Sequence, residues 1–593
     1  MTTCSRTRHG RGLRLAGALV ALAMLGAACG GDDDDDAAPD TAGAATTVAD
    51  GGPTETTATE PPDAPETTTG DTTAGTAAEP DETMPATSVA GSAPADDCEA
   101  TVAGSEINFG VYSPAPALDP LQSTASIAGG SDLIAIYDTL TRWDAASGAW
   151  VPHIVESWES NDELTEWTFT LREGVSYANG DPLLAQHVLD NMTRMLQPGR
   201  NSARSQIALI DLENSDAPDD RTFVLRTFEP LGSVPSILGS GAGMIVNPAL
   251  GSEVDDQETS VISNEPNGAG AGPYLVERWA PGESPYLVLK ARDDYWGGPV
   301  CVETINFVTL PDDRTKLESL ELGELNVAVF RTANINTEVH ALGYDEISNL
   351  VSSGEILMIN NGIGNHTPVT ADVRFRRAVA LALDPEIIST QAFDGALLGS
   401  KGLIAESSAL YGGVEGPAAN LDEAKALVEE LKAEGWDGTV RLLARNLVPN
   451  QPVVVQSLLE AAGMTIDMTI GTIDAIAGAV IVEQDFDMAM WGLTITDSTP
   501  DASVSANFLS TSPGNRVGYN SPEMDAAIVA LNAASNIDEQ REAMTTIAEI
   551  YAEDLPLVTY GAVEELYAMA PGVKGVVGTG QSMIMFHDAY IES

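Results

Sequence analysis

PHIVESWESNDELTEWTFTLREGVSYANGDPLLAQHV, residues 152–188, carries the strongest fold signal in this 593-residue chain. Apolar Trp167, Phe169 and Leu171 alternate with polar residues, which is the two-residue period of a half-buried strand. Gly180 and Pro182 interrupt the alternation and favour a turn. The stretch therefore predicts paired strands, with a further strand in RTFVLRTFEP at 221–230.

Working outward from this stretch, helices and strands interleave along the chain. Residues 106–120, EINFGVYSPAPALDP, predict a strand followed by a Pro-rich loop, and residues 272–296 predict a hairpin around the turn APGES. We see no internal repeat. The class is therefore α/β with some antiparallel pairing. Further predicted elements are a helix at 131–144, a strand–helix–strand unit at 299–330, amphipathic helices at 372–393, 420–435 and 451–463, and strands at 439–445 and 464–470.

The N-terminus has the pattern of an export signal. Four arginines precede an uncharged segment from Leu15 to Ala28, which is too short to span a bilayer that requires about 20 helical residues. A basic start, a short apolar stretch and small residues predict a secretory signal peptide at 1–28. Cys29 follows directly. Its alternatives are acylation, as in a bacterial lipoprotein, or ordinary secretion with Cys29 removed or disulfide-bonded.

Residues 29–97 predict a disordered acidic linker. Between residues 30 and 97 there are 17 Asp or Glu and no Lys or Arg, and the remainder is mostly Thr, Ala, Pro, Gly and Ser. Such a composition cannot bury enough apolar surface to offset its conformational entropy, and its like charges extend it. The linker is expected to hold a globular body away from the membrane surface.

The whole chain is strongly acidic, with 88 Asp and Glu against 28 Lys and Arg. This charge repels nucleic acid and anionic lipid, so no nucleic-acid partner is predicted. About 500 residues follow the linker, too many for a single core, so at least two lobes are expected.

The body has two cysteines, Cys98 and Cys301. In an exported chain they most simply form one disulfide, although two unpaired thiols remain the alternative. No spacing is typical of a zinc site. After the signal, no uncharged stretch approaches transmembrane length.

Five motifs in order resemble the extracytoplasmic solute-binding proteins of ABC transporters, family 5, the peptide, opine and nickel-binding group. GPYLVERWAPGE, DDYWGG, DVRFRRAVALALD and GYNSPEMDAAI resemble four further family segments, and the likeness extends from about residue 105 to the C-terminus. In the opening stretch, the matching residues are Glu156, Ser157, Trp158, Leu171, Arg172, Gly174, Val175, Gly180 and Pro182. Most of these, with Trp296, are expected to pack rather than to bind ligand.

The resemblance implies a two-lobed, type II periplasmic-binding-protein-like fold with the ligand between the lobes. Lobe 1 is predicted at 98–329, with an extra subdomain inserted near 144–265. Lobe 2 is predicted at 330–494, and the chain returns to lobe 1 at 495–593. The crossover strands are predicted at LNVAVFRT, 325–332, and FDMAMWGLTIT, 486–496.

Ligand-contacting residues are expected on loops at strand ends and beside the crossovers. Arg331 is a candidate partner for a ligand carboxylate, with a hinge salt bridge as the alternative. If it only binds ligand, Arg331→Ala should leave the melting temperature of the ligand-free protein unchanged. The other candidates in these loops are Tyr112, Ser113, Ser126, Asn361 and His366.

The second predicted crossover decides whether a free-peptide amine can be bound. Peptide-binding members of the family carry an Asp here that pairs with the ligand α-ammonium. Alignment on Phe486 puts Thr496 at that position with Asp497 adjacent, so the amine anchor is either shifted to Asp497 or absent. Trp491 either lines the cleft or fills a core.

The predicted function is an extracytoplasmic receptor that captures a small solute, most simply a peptide or a peptide-like molecule, for an ABC permease. We predict a monomer, lipid-anchored through Cys29 at the outer face of the cytoplasmic membrane, without cofactor, metal or catalytic residues. The alternatives are an anchored secreted hydrolase or a surface adhesion or sensing protein. No G-x-S-x-G or H-E-x-x-H motif supports the hydrolase.

Overall fold

The computed structural model describes residues 100–112, 117–123, 130–197, 203–250, 262, 266–280, 286–310, 312–445, 448 and 450–592. The strands are β1 (Val102–Val111), β2 (Thr141–Asp144), β3 (Ala149–Pro152), β4 (Val155–Ser160), β5 (Glu166–Leu171), β6 (Thr222–Arg226), β7 (Tyr274–Ala280), β8 (Tyr286–Ala291), β9 (Val302–Thr309), β10 (Val327–Phe330), β11 (Asp345–Ile359), β12 (Thr439–Arg445), β13 (Thr465–Gly471), β14 (Met488–Gly492), β15 (Leu557–Met569), β16 (Val573–Lys574), β17 (Val577–Gly578), β18 (Ile584–Met585) and β19 (Tyr590–Ile591).

The helices are α1 (Ser131–Tyr137), α2 (Ala185–Met195), α3 (Arg204–Ile207), α4 (Val234–Leu238), α5 (Asp313–Glu321), α6 (Ala333–Leu342), α7 (Val373–Ala382), α8 (Pro385–Ala392), α9 (Leu421–Ala433), α10 (Gln451–Ala461), α11 (Ile473–Ala477), α12 (Pro500–Phe508), α13 (Pro522–Ala533) and α14 (Ile537–Asp554). Helix α1 is shorter than predicted. It ends at Tyr137 because Asp138 adopts a φ of 63°, which a continuing helix does not allow.

One ten-stranded sheet organises the fold, in the order β13-β12-β14-β11-β15-β10-β1-β9-β8-β7. Strands β12, β13 and β14 are parallel, and so are β1, β9 and β10. Between these two parallel groups, β11 and β15 run antiparallel to each other and to their outer neighbours. The mixed sheet confirms the predicted α/β class with antiparallel pairing.

The opening stretch forms the strand pair that its alternation predicts. In β5, Trp167, Phe169 and Leu171 are buried and the residues between them are half-buried, and β5 pairs with both β4 and β6. The predicted hairpin at 272–296 is confirmed as β7 and β8, and the strand–helix–strand unit as β9, α5 and β10.

Four hydrophobic cores, all built from described residues, pack around these sheets. Core 1 lies against β1, β7–β9 and the C-terminal strands, and core 2 is built by residues between Ile356 and Tyr560. Core 3, between Leu121 and Ala271, surrounds the β4-β5-β6 sheet and overlaps the predicted subdomain at 144–265. Core 4 is small and packs α5 and α6 against β10 and β15. Trp158 and Trp296 pack against these cores, as predicted.

The residues that build each core place two lobe boundaries later in the chain than predicted. Strand β10 and the buried residues of α6 belong to cores 1 and 4, so the first lobe continues past residue 329. Helices α12, α13 and α14 contribute Val504, Ile528 and Ile547 to core 2, so the return to the first lobe comes later than residue 495.

The strands that connect the lobes also differ from the prediction. Strand β11 has Ile347 against core 1 and Ile356 in core 2, while β15 has Tyr560 in core 2 and Tyr567 in core 1. These two long strands, not the segments at 325–332 and 486–496, pass from one core to the other. We call β11 and β15 the connecting strands.

Candidate functional site

A cavity of about 330 Å³ lies at the middle of the connecting strands. The pairing of β11 with β15 slips at this level, on either side of Glu355, so the backbone opens locally. The walls come from α6, from both connecting strands, from the ends of β12 and β14, and from the segments that follow β10, α8 and β12. The residues are Arg331, Thr332, Ala333, Asn336, Thr337, His340, Gly354, Glu355, Phe393, Ala396, Leu397, Leu398, Arg445, Val448, Gly492, Ala562, Val563 and Glu564.

The cavity lies at the carboxyl ends of parallel strands from both sides of the sheet. Arg331 directly follows β10, Arg445 is the last residue of β12, and Gly492 is the last residue of β14. Ligands of α/β sheets bind beyond the carboxyl ends of strands, where the topology reverses. Because the cavity lies between core 1 and core 2, each lobe contributes one of its walls.

Arg331 is held in place by two carboxylates. Its backbone N–H and that of Thr332 donate to Asp313 Oδ2 at 2.9 and 2.8 Å, and Lys316 Nζ lies 2.7 Å from the other Asp313 oxygen. The Arg331 guanidinium pairs with Glu565, with Nε 2.8 Å from Oε1. The backbone of Arg331 is thus held by Asp313 and its side chain by Glu565.

Glu565 is a completely buried acid on β15, whereas 44% of the Arg331 side chain is exposed. Neither Glu565 oxygen receives a well-aligned hydrogen bond from the described residues. Burial raises the pKa of Glu565, and the charge of Arg331 offsets part of that rise. The charged form of Glu565 therefore depends strongly on the nearby Arg331 guanidinium.

Tyr112 lies beside this ion pair. The Arg331 guanidinium carbon is 5.8 Å from the ring centre, and Lys316 Nζ is 5.3 Å from it. Burial raises the pKa of the Tyr112 hydroxyl, so Tyr112 stays neutral at physiological pH. The ring stabilises two cations through cation–π contacts.

His340 joins α6 to both connecting strands. Its Nδ1 lies 2.7 Å from Glu346 Oε2 on β11, and its Nε2 lies 2.9 Å from Glu564 Oε2 on β15. The hydrogen bonds to Glu564 and Glu346 raise the pKa of His340. A protonated ring donates to both carboxylates, whereas a neutral ring can donate to only one.

Trp491 is the last residue but one of β14 and lies beside Arg445 of the parallel strand β12. The Arg445 guanidinium carbon lies 5.6 Å from the Trp491 ring centre, and that of Arg516 lies 5.8 Å from it. Trp491 is half-buried and packs against core 2 at the edge of the cavity wall. It thus combines both predicted possibilities, packing on one side and contacting a cavity residue, Arg445, on the other.

The other described candidates lie in structural contacts away from the cavity walls. Asn361 donates to the backbone carbonyls of Ile359 and Pro556, and His366 Nδ1 lies 3.1 Å from the Ile363 carbonyl. Thr496 is buried, and its hydroxyl contacts Ser498 and Thr499.

Asp497 does not offer a free carboxylate. It accepts hydrogen bonds from the Ser408 hydroxyl and, at 2.9 Å, from the backbone N–H of Ala409. These bonds fasten a distant loop to the segment after β14. Asp497, the predicted amine anchor, therefore holds the loop at Ser408 and Ala409 in place.

Four of the predicted residues cannot be placed. Ser113, Ser126, Cys29 and Cys98 lie outside the described residues. Cys301 is disulfide-bonded, so the alternative of a free thiol at Cys301 is wrong. Its pairing with Cys98 stays a prediction.

Sequence reasoning missed Glu355, Arg445, His340 and Glu565. Arg445 carried a usable signal, since it is a cation at the end of a predicted strand. Glu355 and Glu565 lie on β11 and β15, which gave no clear strand pattern. The described residues contain no group of three His, Cys, Asp or Glu arranged for a metal ion. No described helix has the length and apolarity that crossing a bilayer requires.

Known proteins match both the sequence and the fold. A family model, bacterial extracellular solute-binding proteins, family 5, matches residues 149–515, more than half of the chain. The probable D,D-dipeptide-binding periplasmic protein DdpA of Escherichia coli K12 is 23% identical over 436 residues, which cover 72% of this chain and 81% of that protein.

Two solved structures show the same fold. The oligopeptide-binding protein AppA from Bacillus subtilis, in complex with a nonapeptide, has a TM-score of 0.68 and 20% identity, covering 82% of this chain and 99% of that one. AgaA from A. tumefaciens R10, in complex with agropinic acid, has a TM-score of 0.65 and 21% identity, covering 82% and 100%.

The fold is that of a periplasmic binding protein of type II. The chain belongs to the bacterial extracellular solute-binding proteins, family 5. The predictions of family, two-lobed fold and solute-binding function for an ABC importer are confirmed. The family is one of binding proteins rather than of enzymes.

Proposed function

We propose that this protein is a lipid-anchored receptor that clamps a short peptide or a peptide-like solute between its lobes and presents it to an ABC permease. The observation that carries the proposal is the cavity at the middle of the connecting strands, walled by residues of both lobes. Contacts made by both walls exist together only when the lobes are closed. Ligand therefore shifts the population toward closure.

The size of the cavity favours a small ligand. A volume of about 330 Å³ lies at the lower end of the range for small-molecule sites, roughly 300 to 1,000 Å³. Similar proteins are described with a D,D-dipeptide, a nonapeptide and agropinic acid. The cavity suits the short end of that range, a dipeptide or a solute of similar size.

The charged groups of the wall favour a solute with both signs of charge. Arg331 and Arg445 provide cations, while Glu355 and Glu564 provide carboxylates. Glu355 is oriented by Gln451, whose Nε2 donates to Glu355 Oε2 at 2.8 Å. A ligand amine can therefore be bound without the Asp that peptide-binding relatives are expected to use.

Anchoring follows from the N-terminal sequence. Cys29 would carry the lipid, and the acidic linker at 29–97 would let the receptor search near the permease at high effective concentration. Cys29→Ser expressed in the native host should move the protein from the membrane fraction to the medium. Retention of the variant in the membrane would contradict the anchor.

The binding proposal is tested on protein stripped of solute by unfolding and refolding. Isothermal titration calorimetry with pooled L-dipeptides should give saturable binding, and mass spectrometry should recover the bound dipeptide intact. Recovery of cleaved dipeptide would favour the anchored hydrolase instead. Absence of binding across dipeptides, amino acids and sugar acids would refute the receptor.

A further inference from the structure

The two lobes also touch away from the connecting strands, where the loop before α4 meets the end of α13. The backbone N–H of Gly232 donates to the backbone carbonyl of Asn532 at 2.8 Å. Leu231, next to Gly232, belongs to core 3, whereas Leu531, next to Asn532, belongs to core 2. Asn532 lies in the last turn of α13, where helix carbonyls have no partner within the helix. This hydrogen bond therefore joins the lobes and satisfies a carbonyl that the helix leaves open.

A second contact joins the lobes through the indole of Trp150 on β3. The ring packs on Gly239, which follows α4 of core 3, and a Cβ atom on Gly239 would overlap it. The indole N–H donates to the carbonyl of Ser498 at 3.2 Å, in the segment between Ile495 of core 2 and α12. The Ser498 hydroxyl in turn donates to the carbonyl of Gly580, between β17 and β18. The segment after β14 is thus bonded to two parts of the opposite lobe.

The lobes approach each other closely at Gly232. A Cβ atom at this position would overlap the carbonyl of Ala534, and its nearest neighbours all belong to Ala534 and Ser535, directly after α13. Gly232 does not have a positive φ, so its own backbone would accept alanine, and the lack of room comes from the opposite lobe. Beside it, Asp501 of α12 lies next to Ser233, and both residues are buried. The two surfaces are therefore packed against each other.

We propose that these contacts form a latch between the lobes, which stabilises the closed arrangement and thereby raises solute affinity from outside the cavity. The latch consists of Trp150, Gly232, Ser498 and Asn532. None of these four described residues lines the cavity, and both hydrogen bonds join protein atoms, so the latch acts on solutes of any chemistry. The proposal rests on the proposed function in one respect, the movement of the lobes.

The latch and the solute act on the same equilibrium. The apparent dissociation constant of a solute rises as the fraction of binding-competent protein falls. Loss of one hydrogen bond typically changes an equilibrium constant about 2- to 10-fold. The latch biases the lobes toward closure, and the solute completes the shift.

Hydrogen exchange in the stripped, full-length protein tests the latch without any solute. Trp150→Phe keeps an aromatic ring but removes the donor to Ser498. If the two contacts open together, peptides that contain the Gly232 amide should exchange about 2- to 10-fold faster than in the wild type. The control Trp436→Phe removes an indole N–H that donates to the Thr439 carbonyl at 3.1 Å within one lobe, and should leave that exchange unchanged. Unchanged exchange in Trp150→Phe, or equal acceleration in the control, would overturn the latch.

Gly232→Ala should hold the lobes apart, because the added methyl group overlaps the opposite lobe. Small-angle X-ray scattering of the stripped protein should give a larger radius of gyration for this variant than for the wild type. The control Gly478→Ala adds a methyl group where no described atom beyond its own helix lies within 4 Å, and should leave the radius of gyration unchanged. Equal values for Gly232→Ala and the wild type would overturn the latch.

Calorimetry with the pooled L-dipeptides separates the latch from the receptor. Gly232→Ala should bind the dipeptides about 2- to 10-fold more weakly than the wild type and Gly478→Ala do. Equal affinities would overturn the effect of the latch on binding while leaving the receptor intact. If the wild type binds none of the dipeptides, amino acids and sugar acids, the proposed function fails, whereas hydrogen exchange and scattering still decide whether the latch exists.

Discussion

Removal of Arg331 should destabilise the ligand-free protein, contrary to the simplest reading of the sequence. Arg331 is the cation paired with Glu565, whose side chain is 0% exposed. Arg331→Ala leaves that carboxylate buried without a counter-ion. From the sequence alone, Arg331 could be a residue that only contacts ligand, so that its removal would not change stability. The ion pair with Glu565 means that Arg331 also stabilises the fold.

The expected cost follows from the geometry of the pair. Removing one partner of a buried ion pair typically costs about 3 to 5 kcal/mol. Since 44% of the Arg331 side chain is exposed, water can enter the space that the variant opens and hydrate part of Glu565. We therefore expect a loss of about 2 kcal/mol in the free energy of unfolding.

The assay is urea unfolding of the stripped protein at two pH values. Burial raises the pKa of Glu565, so the folded protein keeps this proton to a higher pH than the unfolded chain does. The contribution of this group is therefore fully present at low pH and is lost as the pH rises through the folded pKa. Arg331→Ala raises that pKa further, so the loss should be greatest near about pH 8 and smaller near about pH 5.

The double variant Arg331→Ala/Glu565→Gln should recover most of the loss, because it removes the buried charge together with its partner. The control Arg377→Ala breaks an exposed pair with Glu423 and should cost no more than about 0.5 kcal/mol. An Arg331→Ala variant as stable as the wild type at both pH values would refute the reasoning. So would a double variant that is no more stable than the single one.

Two further predictions concern His340 and the disulfide. Hydrogen bonds to Glu564 and Glu346 raise the pKa of His340, so its stabilisation is present at low pH and is lost as the pH rises through that raised value. Urea unfolding of His340→Gln should lack the fall in stability that the wild type shows above about pH 6.5, and an unchanged pH profile would contradict this assignment. Cys98→Ser and Cys301→Ser should each lower the free energy of unfolding by the same amount, about 3 kcal/mol, because either variant removes the same cross-link. Unequal losses, or a different partner of Cys301 in a non-reducing peptide map, would disprove the pairing.

Local periodicity was sufficient to predict much of the scaffold. The alternation in β5 and in the β7–β8 hairpin arises from one buried face, which a short window of sequence reveals. The family motifs then supplied the two-lobed arrangement.

The connecting strands could not be found in this way. Strand β11 passes from core 1 to core 2 and contains Ser352, Ser353 and Gly354 at its centre. Its buried face changes along its length, so no single alternation runs through it. The shorter apolar segments at 325–332 and 486–496 gave a clearer strand pattern and were predicted as crossovers instead.

The site residues show the same difference between what local sequence reveals and what only contacts between distant segments reveal. Arg331 could be proposed from its position after a strand, and it does line the cavity. Asp497 could not be assigned from its neighbours in sequence, because its partners Ser408 and Ala409 lie almost 90 residues away. The contact of Arg445 with Trp491 likewise depends on the pairing of β12 with β14, which no local pattern contains.

The central claim is that two lobes joined by β11 and β15 close on a solute without altering it. Small-angle X-ray scattering tests this claim most directly, on the stripped protein with and without a saturating dipeptide or sugar acid that calorimetry shows to be bound. The account predicts a smaller radius of gyration in the bound state, with a return to the initial value when dialysis removes the unchanged solute. An identical radius of gyration in the free and the bound protein would contradict it.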